Sequence, residues 1–203
     1  MSGIGEAAAG RSICVLVGSP RRGVSLQAAQ VVAEGVRGAG AHCGVFSLAE
    51  HVVFGCDGCG SCLDAPMPGC VLDGRDGDAF VQLKQSLDSS DGLVVVSPVY
   101  FSGPPSQLKA VYDRFQERWA RRYVHGERAR GKRPARLVVV GEGGDPFGYE
   151  PLVTITRSAL NIAGFRLGDV LPVIGSPSSD ALAKQETALR TLGSELVVGE
   201  GTA

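Results

Sequence analysis

Four of the six cysteines crowd into fifteen positions, as Cys56, Cys59, Cys62 and Cys70, with the spacing C-x2-C-x2-C-x7-C. Six cysteines in a chain of 203 residues are too few for a disulfide scaffold. In a reducing compartment, this grouping therefore predicts metal binding or redox chemistry. The glycines of the same segment would let one stretch of backbone fold around a [4Fe-4S] cluster. Zinc and plain thiols remain open as alternatives.

A second candidate site is the stretch ICVLVGSPRRGVSLQ, residues 13 to 27. The apolar run Ile13 to Val17 predicts a buried parallel strand, and Gly18 lets the backbone bend at its end. We expect Ser25 to be the N-cap of a helix over Leu26 to Arg37. The unpaired N–H groups of a helix start, with the charges of Arg21 and Arg22, predict a site for a phosphate group.

Two familiar phosphate loops do not explain this stretch. Val24 stands where the nucleotide-triphosphatase loop needs lysine, and Pro20 stands where the dinucleotide loop needs its second glycine. An ordinary strand-to-helix turn with two solvated arginines remains the alternative.

Two further strands end in loops typical of ligand sites. The run Gly92 to Ser97 is followed by Pro98 to Gly103, and the run Arg136 to Val140 by Gly141 to Gly144. By contrast, Cys14 and Cys43 lie in predicted strands and are expected to be small core residues. The three histidines show no ligand spacing, and no chemistry is assigned to His42, His51 or His125.

Alternating strands and helices must position these residues. The remaining predicted strands are His42 to Leu48 and Asp169 to Ile174. The remaining predicted helices are Asp78 to Leu87, Ser106 to Arg122, Glu150 to Ala163 and Asp180 to Leu196. Ala49 to Gly77 is interpreted as a long loop excursion from the sheet, because Gly, Pro, Asp and Cys dominate it.

This alternation predicts an α/β, flavodoxin-like doubly wound sandwich, with a five-stranded parallel sheet in the order 2-1-3-4-5. In that order the first, third and fourth strands are neighbours, so the three loops should converge on one ligand. We expect one domain over residues 1–203, with its core at about 12–196 and the excursion at 49–77.

Charge and hydropathy exclude several classes of partner. The formal net charge is -1 and the pI is near 6.3, so neither nucleic acid nor a membrane surface is an expected partner. No apolar run is long enough to span a membrane and no signal peptide is recognisable, which predicts a cytoplasmic protein. Residues Arg114 to Arg136 hold nine Lys or Arg, interpreted as a solvated helix end. The alternative is a patch for the extra phosphate of NADPH or for an acidic protein.

The words GSPRRGVS, SDGLVVVSPVYFSGPPSQLKAVYDRF and GEGG together resemble the NADPH-dependent FMN reductase family of flavodoxin-like proteins. The resemblance implies that the first loop holds the FMN phosphate, the Pro-Val-Tyr loop lies along the isoalloxazine, and the glycine loop supports its far side. The cofactor-binding residues that it implies are Ser19, Arg21, Arg22, Ser25, Leu26, Gln27, Pro98, Val99, Tyr100, Phe101, Gly141, Glu142, Gly143 and Gly144. Leu26-Gln27 replaces the Asn-Thr that often follows the serine in this family, so backbone N–H groups and arginines must compensate.

The resemblance implies an NAD(P)H oxidoreductase whose bound FMN passes electrons to a quinone, nitro compound, azo dye or free flavin. Tyr100 or Phe101 would line the open face of the ring, with core packing as the alternative for either. The subunits would form a homodimer or homotetramer, with the excursion covering a neighbouring flavin.

The cysteine spacing resembles the compact motif of the iron-sulfur flavoproteins within this family. One rival function is therefore electron transfer between FMN and a redox protein partner, through a [4Fe-4S] cluster on the four cysteines. Relatives with similar cysteines that carry flavin alone keep this question open. A second rival is a binding protein that has kept the fold without the cofactor.

Overall fold

A computed structural model describes residues 10–64, 69–128, 131–175 and 180–198. Predictions for the two ends of the expected domain and for Arg130 of the basic run lie outside these residues. The strands are β1 (Ser12–Val17), β2 (His42–Ser47), β3 (Gly92–Pro98), β4 (Arg133–Gly141) and β5 (Phe165–Ile174). All pairs are parallel and the order is β2-β1-β3-β4-β5, so the predicted topology is confirmed.

Seven α-helices are found among the described residues. They are α1 (Val24–Gly38), α2 (Phe80–Ser89), α3 (Ser106–Arg114), α4 (Gln116–Tyr123), α5 (Glu150–Ala163), α6 (Ala181–Lys184) and α7 (Glu186–Val198). A short 3-10 helix, Ser61–Leu63, lies within the predicted excursion. None of the helices in the described ranges is long and apolar enough to cross a bilayer.

The helices form two layers, one on each face of the sheet. Successive side chains of a strand point to opposite faces, so apolar strands have two faces to bury against helices. Helices α2, α3 and α5 pack on one face, where Leu16, Val95 and Leu137 belong to their core. Helices α1 and α7 pack on the other face, against Val15 and Val94. Cys14 and Cys43 are buried in these two cores, as predicted.

Two glycines bring α1 and α7 unusually close together. A Cβ atom on Gly35 would lie 2.1 Å from the carbonyl oxygen of Arg190, and one on Gly193 would lie 2.3 Å from that of Val32. These contacts are with backbone atoms, so no side chain could move aside. The last helix is therefore held directly against the helix that follows the first loop.

The predicted start of the first helix is wrong. Gly23 is the N-cap residue, no side chain caps the helix, and Ser25 is the second helical residue. Ser25 lies 4% exposed on the inner side of α1. The pattern favoured a serine because serine is a good capping residue, but here the backbone turns two residues earlier.

The predicted helix Ser106 to Arg122 is two helices, separated at Phe115. The apolar stripe continues through the break, which is why the pattern gave no sign of it. Similarly, the predicted helix Asp180 to Leu196 is divided at Gln185 into α6 and α7. Helix α2 begins two residues later than predicted, at Phe80.

Strands β4 and β5 begin earlier than predicted, at Arg133 and Phe165. Their register shifts between Ala135 and Leu137, so that Leu137 pairs with Val170. This bulge interrupts the alternation of β5, and the polar and proline residues at the two strand starts resemble loop sequence.

Candidate functional site

The loops that follow β1, β3 and β4 lie side by side at the carboxyl edge of the sheet. Val17 pairs with Val96 in neighbouring strands, and Pro98 pairs with Val140. The N–H group of Gly18 donates to Val96 O at 2.8 Å, and that of Val99 donates to Val140 O at 3.0 Å. The structure thus brings together the three loops that the sequence singled out.

The first loop presents free backbone donors. Within the described structure, the N–H groups of Arg22, Gly23, Val24 and Ser25 donate to no protein acceptor. They precede or begin α1, where the helix dipole is positive. The hydroxyl of Ser19 donates to Arg21 O at 2.9 Å and so shapes the loop itself. The arrangement suits a phosphate group held mainly by the backbone.

The two arginines of this loop differ. Arg22 forms an exposed ion pair with Glu50 at 3.1 Å, whereas Arg21 has no ion pair among the described residues. The guanidinium of Arg21 is therefore free to meet an anion. Leu26 is half-buried and Gln27 is exposed, on the first turn of α1.

The second loop contains a tight turn from Tyr100 to Gly103, closed by N–H···O bonds of 2.9 and 3.0 Å. Its central residues have φ values of 50° for Phe101 and 61° for Ser102, in the left-handed region that non-glycine residues rarely adopt. The N–H group of Leu152 donates to Ser102 O at 2.9 Å, which ties the turn to α5. Strain of this kind clusters at ligand sites.

Both aromatic residues of the turn face outward. Phe101 is fully exposed and Tyr100 is 39% exposed, so the core-packing alternative for them is wrong. Pro98 and Val99 are half-buried at the end of β3. The Oγ atom of Ser102 is buried and has no hydrogen-bond partner among the described residues.

The third loop is open and glycine-rich. Gly143 and Gly144 have φ values of 86° and 87°, which favour glycine, and a Cβ atom on Gly143 would lie 3.2 Å from Ile174. Glu142 and the following residues are exposed, including Phe147 at 78%. The backbone of this loop can therefore approach a ligand closely.

These observations test whether the residues suit FMN. The first loop supplies four unpaired N–H groups and a free guanidinium, which match the acceptors of a phosphate. Beside the first loop lie the exposed aromatic side chains of the second loop and the glycine backbone of the third. The donor set and the open edge fit a phosphate that carries a flat, partly apolar ring.

The four clustered cysteines line one small pocket. Cys56 and Cys59 are exposed, and Cys62 and Cys70 are half-buried. Burial, together with the nearby charges of the other three thiolates, raises the pKa of Cys62. Gly58, Gly60 and Gly69 adopt positive φ values and allow the chain to turn around the pocket.

The thiols are not drawn together around a single ion. Among the described residues, no group of three His, Cys, Asp or Glu side chains is placed to hold one metal ion. The pocket encloses only about 30 Å³, so a larger occupant would have to sit at its open side. Thiol donors suit a thiophilic metal, but the distances between these thiols in the structure are too large for them to bind one metal ion together.

A buried charge network lies under this pocket. The side chain of Arg114 is completely buried and donates to Asp73 and Asp78, at 2.8 Å each, and to Phe54 O at 3.1 Å. Its guanidinium also lies 4.3 Å from the ring centre of Phe80. Because Phe54 precedes the first cysteine and Asp73 follows the last, Arg114 joins the two ends of the excursion.

The network extends along α4. The ammonium of Lys84 lies 2.5 Å from Asp73 and 3.1 Å from the buried carboxylate of Glu117, which also pairs with Arg121 at 2.9 Å. His125 contacts Cys62 O through Nε2 at 2.9 Å. The cysteine segment is thus attached to the helix layer largely by polar and charged contacts.

A charged cleft of about 280 Å³ lies at the opposite, amino edge of the sheet. It is lined by Lys84, Arg118, Arg121, Arg122, Arg128, Lys132 and Arg133, with Asp88, Glu117 and Glu127. Strand β4 separates this edge from the third loop by about 26 Å. The cleft therefore does not suit the extra phosphate of an NADPH that reacts at the three loops of the same molecule.

The expectation that the basic run is solvated is wrong for two of its members. Arg114 is 1% exposed and Arg136 is 5% exposed. Sequence reasoning also missed Asp73 and Asp78 as partners of Arg114. A signal for the burial of Arg114, though not for its partners, was present, because Arg114 lies three residues after Val111 on the flank of the apolar stripe.

Comparisons with known proteins are consistent with this geometry. The family described as NADPH-dependent FMN reductase matches residues 11–167. An iron-sulfur flavoprotein from Methanosarcina thermophila is 32% identical over 98 residues, which are 48% of each chain. The match thus spans about half the length of that relative.

Solved structures with the same fold include two reductases. An NAD(P)H:quinone oxidoreductase from Methanothermobacter marburgensis superposes with a TM-score of 0.66 and 17% identity, covering 95% of this chain and 100% of that one. A flavone reductase superposes with a TM-score of 0.67 and 13% sequence identity, covering 92% of this chain and 62% of that one. At these identities the likeness shows the fold alone.

Proposed function

Because the chain belongs to the NADPH-dependent FMN reductase family, we propose that it is an FMN-dependent oxidoreductase that passes electrons from NAD(P)H to a small acceptor. The acceptor class is a quinone, a nitro or azo compound, or free flavin. The observation that carries the proposal is the meeting of three loops at one sheet edge, where the first presents unpaired N–H donors.

Each loop has a distinct task in this proposal. The N–H groups of Arg22 to Ser25 and the guanidinium of Arg21 hold the phosphate, and the turn at Tyr100 and Phe101 lies against the ring. The backbone of Gly141 to Gly144 supports the far side. When bound, FMN supplies hydride acceptance and single-electron release, so no nucleophilic side chain is needed.

The protein's own contribution is positioning and polarity. Rigid strand ends fix the spacing of the loops, and the anchored turn holds its aromatic residues at the surface. Backbone N–H groups aimed at the ring would stabilise negative charge as it develops there. We expect no catalytic side chain.

Spectroscopy of the purified protein tests this proposal. We expect one FMN per chain after incubation with FMN, bleaching of its visible absorption by NADPH or NADH under anaerobic conditions, and recovery on addition of a quinone. A protein that takes up no FMN would overturn the proposal and favour a cofactor-free binding role.

The pocket of four cysteines supports a second candidate function. Here a [4Fe-4S] cluster on Cys56, Cys59, Cys62 and Cys70 relays single electrons between a redox protein partner and FMN. The observation that favours it is that all four thiols line one pocket. The relative from Methanosarcina thermophila, which is described as an iron-sulfur flavoprotein, adds support. Anaerobic purification with iron and sulfide analysis tests it, and iron near zero with FMN bound would remove it.

A homodimer or homotetramer is part of the same proposal. Phe101 and Phe147 expose large aromatic surfaces beside the three loops, which a second copy of the chain would cover. Light scattering in solution tests this, and a monomer at micromolar concentration would contradict it.

A further inference from the structure

The charged cleft at the amino edge of the sheet has no role in the proposed flavin chemistry. Seven cationic side chains and three carboxylates line its volume of about 280 Å³, so the formal charge of its walls is +4. Asp73 pairs with Lys84 just outside the lining and lowers this charge to +3. A concave surface with such an excess of positive charge attracts anions.

Several of these cations are already engaged within the protein. Arg118 donates to Ala163 O at the end of α5, at 3.4 Å, and Arg133 donates to Leu87 O near the end of α2, at 2.6 Å. Cations in these positions satisfy carbonyl groups that a helix end leaves unpaired. Arg121 forms two ion pairs, at 2.9 and 3.7 Å. These side chains therefore shape the walls of the cleft.

Three other cations of the cleft have no carboxylate partner. Arg122, Arg128 and Lys132 line the cleft and form no ion pair among the described residues. Arg128 and Lys132 are exposed, and the half-buried Arg122 lies 5.1 Å from the ring centre of Tyr123. These three side chains account for an excess charge of +3.

The size and lining of the cleft define the kind of anion. Pockets for drug-sized ligands measure about 300–1,000 Å³, so a cleft of about 280 Å³ suits a small molecule. No aromatic side chain lines it within the described part of the chain, and its apolar surface comes from Ile162 and Ala163. It therefore offers no platform on which a nucleobase could stack.

The charge of the cleft indicates how many acidic groups the ligand carries. One phosphoryl group carries about −1.5 to −2 near pH 7, so two such groups balance an excess of +3. The guanidinium forks of Arg122 and Arg128 match phosphoryl oxygens in pairs. Lys132 adds a compact charge that can contact either group.

We propose that this cleft binds a small anion with two phosphoryl groups, held by Arg122, Arg128 and Lys132. The site is distinct from the phosphate site of the first loop, and the inference does not depend on the flavin function. Arg122 belongs to α4, and Lys132 precedes the first residue of β4. The bound anion therefore joins these two elements and stabilises the folded chain.

Isothermal titration calorimetry with inorganic pyrophosphate tests the proposal. The full-length protein is titrated in magnesium-free buffer with a slight excess of FMN, which fills the first loop. The variants are Lys132→Gln and the double variant Arg128→Gln/Lys132→Gln, which remove exposed charges that have no described ion pair. Lys184→Gln is the matched control, because Lys184 is also an exposed lysine without a described ion pair but does not line the cleft.

We expect one pyrophosphate per chain, bound more tightly than orthophosphate. The double variant should bind it at least about tenfold more weakly, because two charge-assisted contacts are lost. Lys132→Gln should be intermediate, and Lys184→Gln should match the unmodified protein. Unfolding curves recorded without pyrophosphate show whether each variant has folded.

Four results would overturn the proposal. They are no binding at about 1 mM pyrophosphate, equal affinity in the double variant and the unmodified protein, an equal loss in Lys184→Gln, or tighter binding of a poly-glutamate peptide than of pyrophosphate. The last result would assign the cleft to an acidic protein partner. A chain that takes up no FMN but shows the expected order of affinities would overturn the flavin proposal alone.

Discussion

At the residue scale, the two adjacent arginines of the first loop should contribute unequally to phosphate binding. Arg21 is unpaired among the described residues, whereas Arg22 already pairs with Glu50. We expect Arg21→Ala to raise the dissociation constant of FMN by about ten- to a hundredfold, since a hydrogen bond to a charged group is worth about 1.5–3 kcal/mol. Arg22→Ala should change it less than threefold, and flavin fluorescence quenching measures both.

The ion pair itself provides the control. Glu50→Gln releases Arg22 without touching the loop backbone, so FMN should bind as tightly as before or slightly more tightly. Equal losses in Arg21→Ala and Arg22→Ala would show instead that both arginines act only through their general charge.

Cys14 should make folding sensitive to alkaline pH. Burial, with a smaller effect from Cys43, raises the pKa of Cys14 from 9.0 to about 12. Above pH 9 the unfolded chain loses this proton and the folded chain keeps it. The free energy of unfolding should therefore fall by about 1.4 kcal/mol per pH unit between pH 9 and 12.

Urea unfolding between pH 8 and pH 10.5 measures this effect. The variant Cys14→Ala lacks the thiol, so its stability should fall less steeply over the same range. Identical slopes in the two proteins would contradict the assignment. Below pH 9 both forms keep the proton, and no difference in slope is expected there.

Residue-level prediction from the sequence succeeded where local backbone chemistry decides. Gly143 and Gly144 adopt positive φ values in the loop after β4, and the pattern located them. Gly18 was located at its strand end as well, but the reason for glycine there is close packing, since a Cβ atom would lie 2.6 Å from Leu108. Prediction failed for Arg114, because burial of a charge depends on Asp73 and Asp78, which lie about forty residues away in sequence. No local pattern records such a pairing.

At the element scale, the close approach of α1 and α7 should not tolerate a methyl group. We expect Gly35→Ala and Gly193→Ala each to destabilise the protein by at least about 1–3 kcal/mol, because the added Cβ meets a carbonyl oxygen. Thermal unfolding should shift down by roughly 2–4 °C per kcal/mol.

Gly38 is the matched control, since it lies in α1 with open space around its Cβ position. Gly38→Ala should be neutral or stabilising by up to about 1 kcal/mol. Losses of equal size at Gly35 and Gly38 would show that helix packing is not the cause.

The elements themselves were largely predictable, and their boundaries were less so. Apolar β-branched runs located β1 and β3, since a short buried strand has few alternatives. The break at Phe115 was not predictable, because the apolar stripe continues through it without interruption. Arg114, the residue just before the break, pairs with Asp73 of the excursion, and this contact is visible only in the folded chain. Strands β4 and β5 start early because their first residues pair with each other, and the sequence of one strand alone does not reveal this pairing.

At the scale of the whole molecule, FMN should stabilise the fold as a ligand that binds only the folded chain. At a hundredfold excess over its dissociation constant, the gain is about 2.7 kcal/mol, or roughly 5–10 °C in Tm. Riboflavin has the ring without the phosphate, so the same concentration should raise Tm by much less.

Differential scanning fluorimetry with a non-flavin dye or calorimetry measures the two shifts. Equal shifts with FMN and riboflavin would show that the first loop does not bind phosphate, even if the ring binds. No shift with either would contradict the whole flavin proposal.

The direct contact of α7 with α1 also constrains the order of events during synthesis. The helix that follows the first loop emerges from the ribosome early, whereas the helix packed directly against it extends to Val198 and emerges late. Until that segment is released, the nascent loop lacks its finished support. Loading of the prosthetic group should therefore follow translation, and chains stalled before the last helix should emerge colourless.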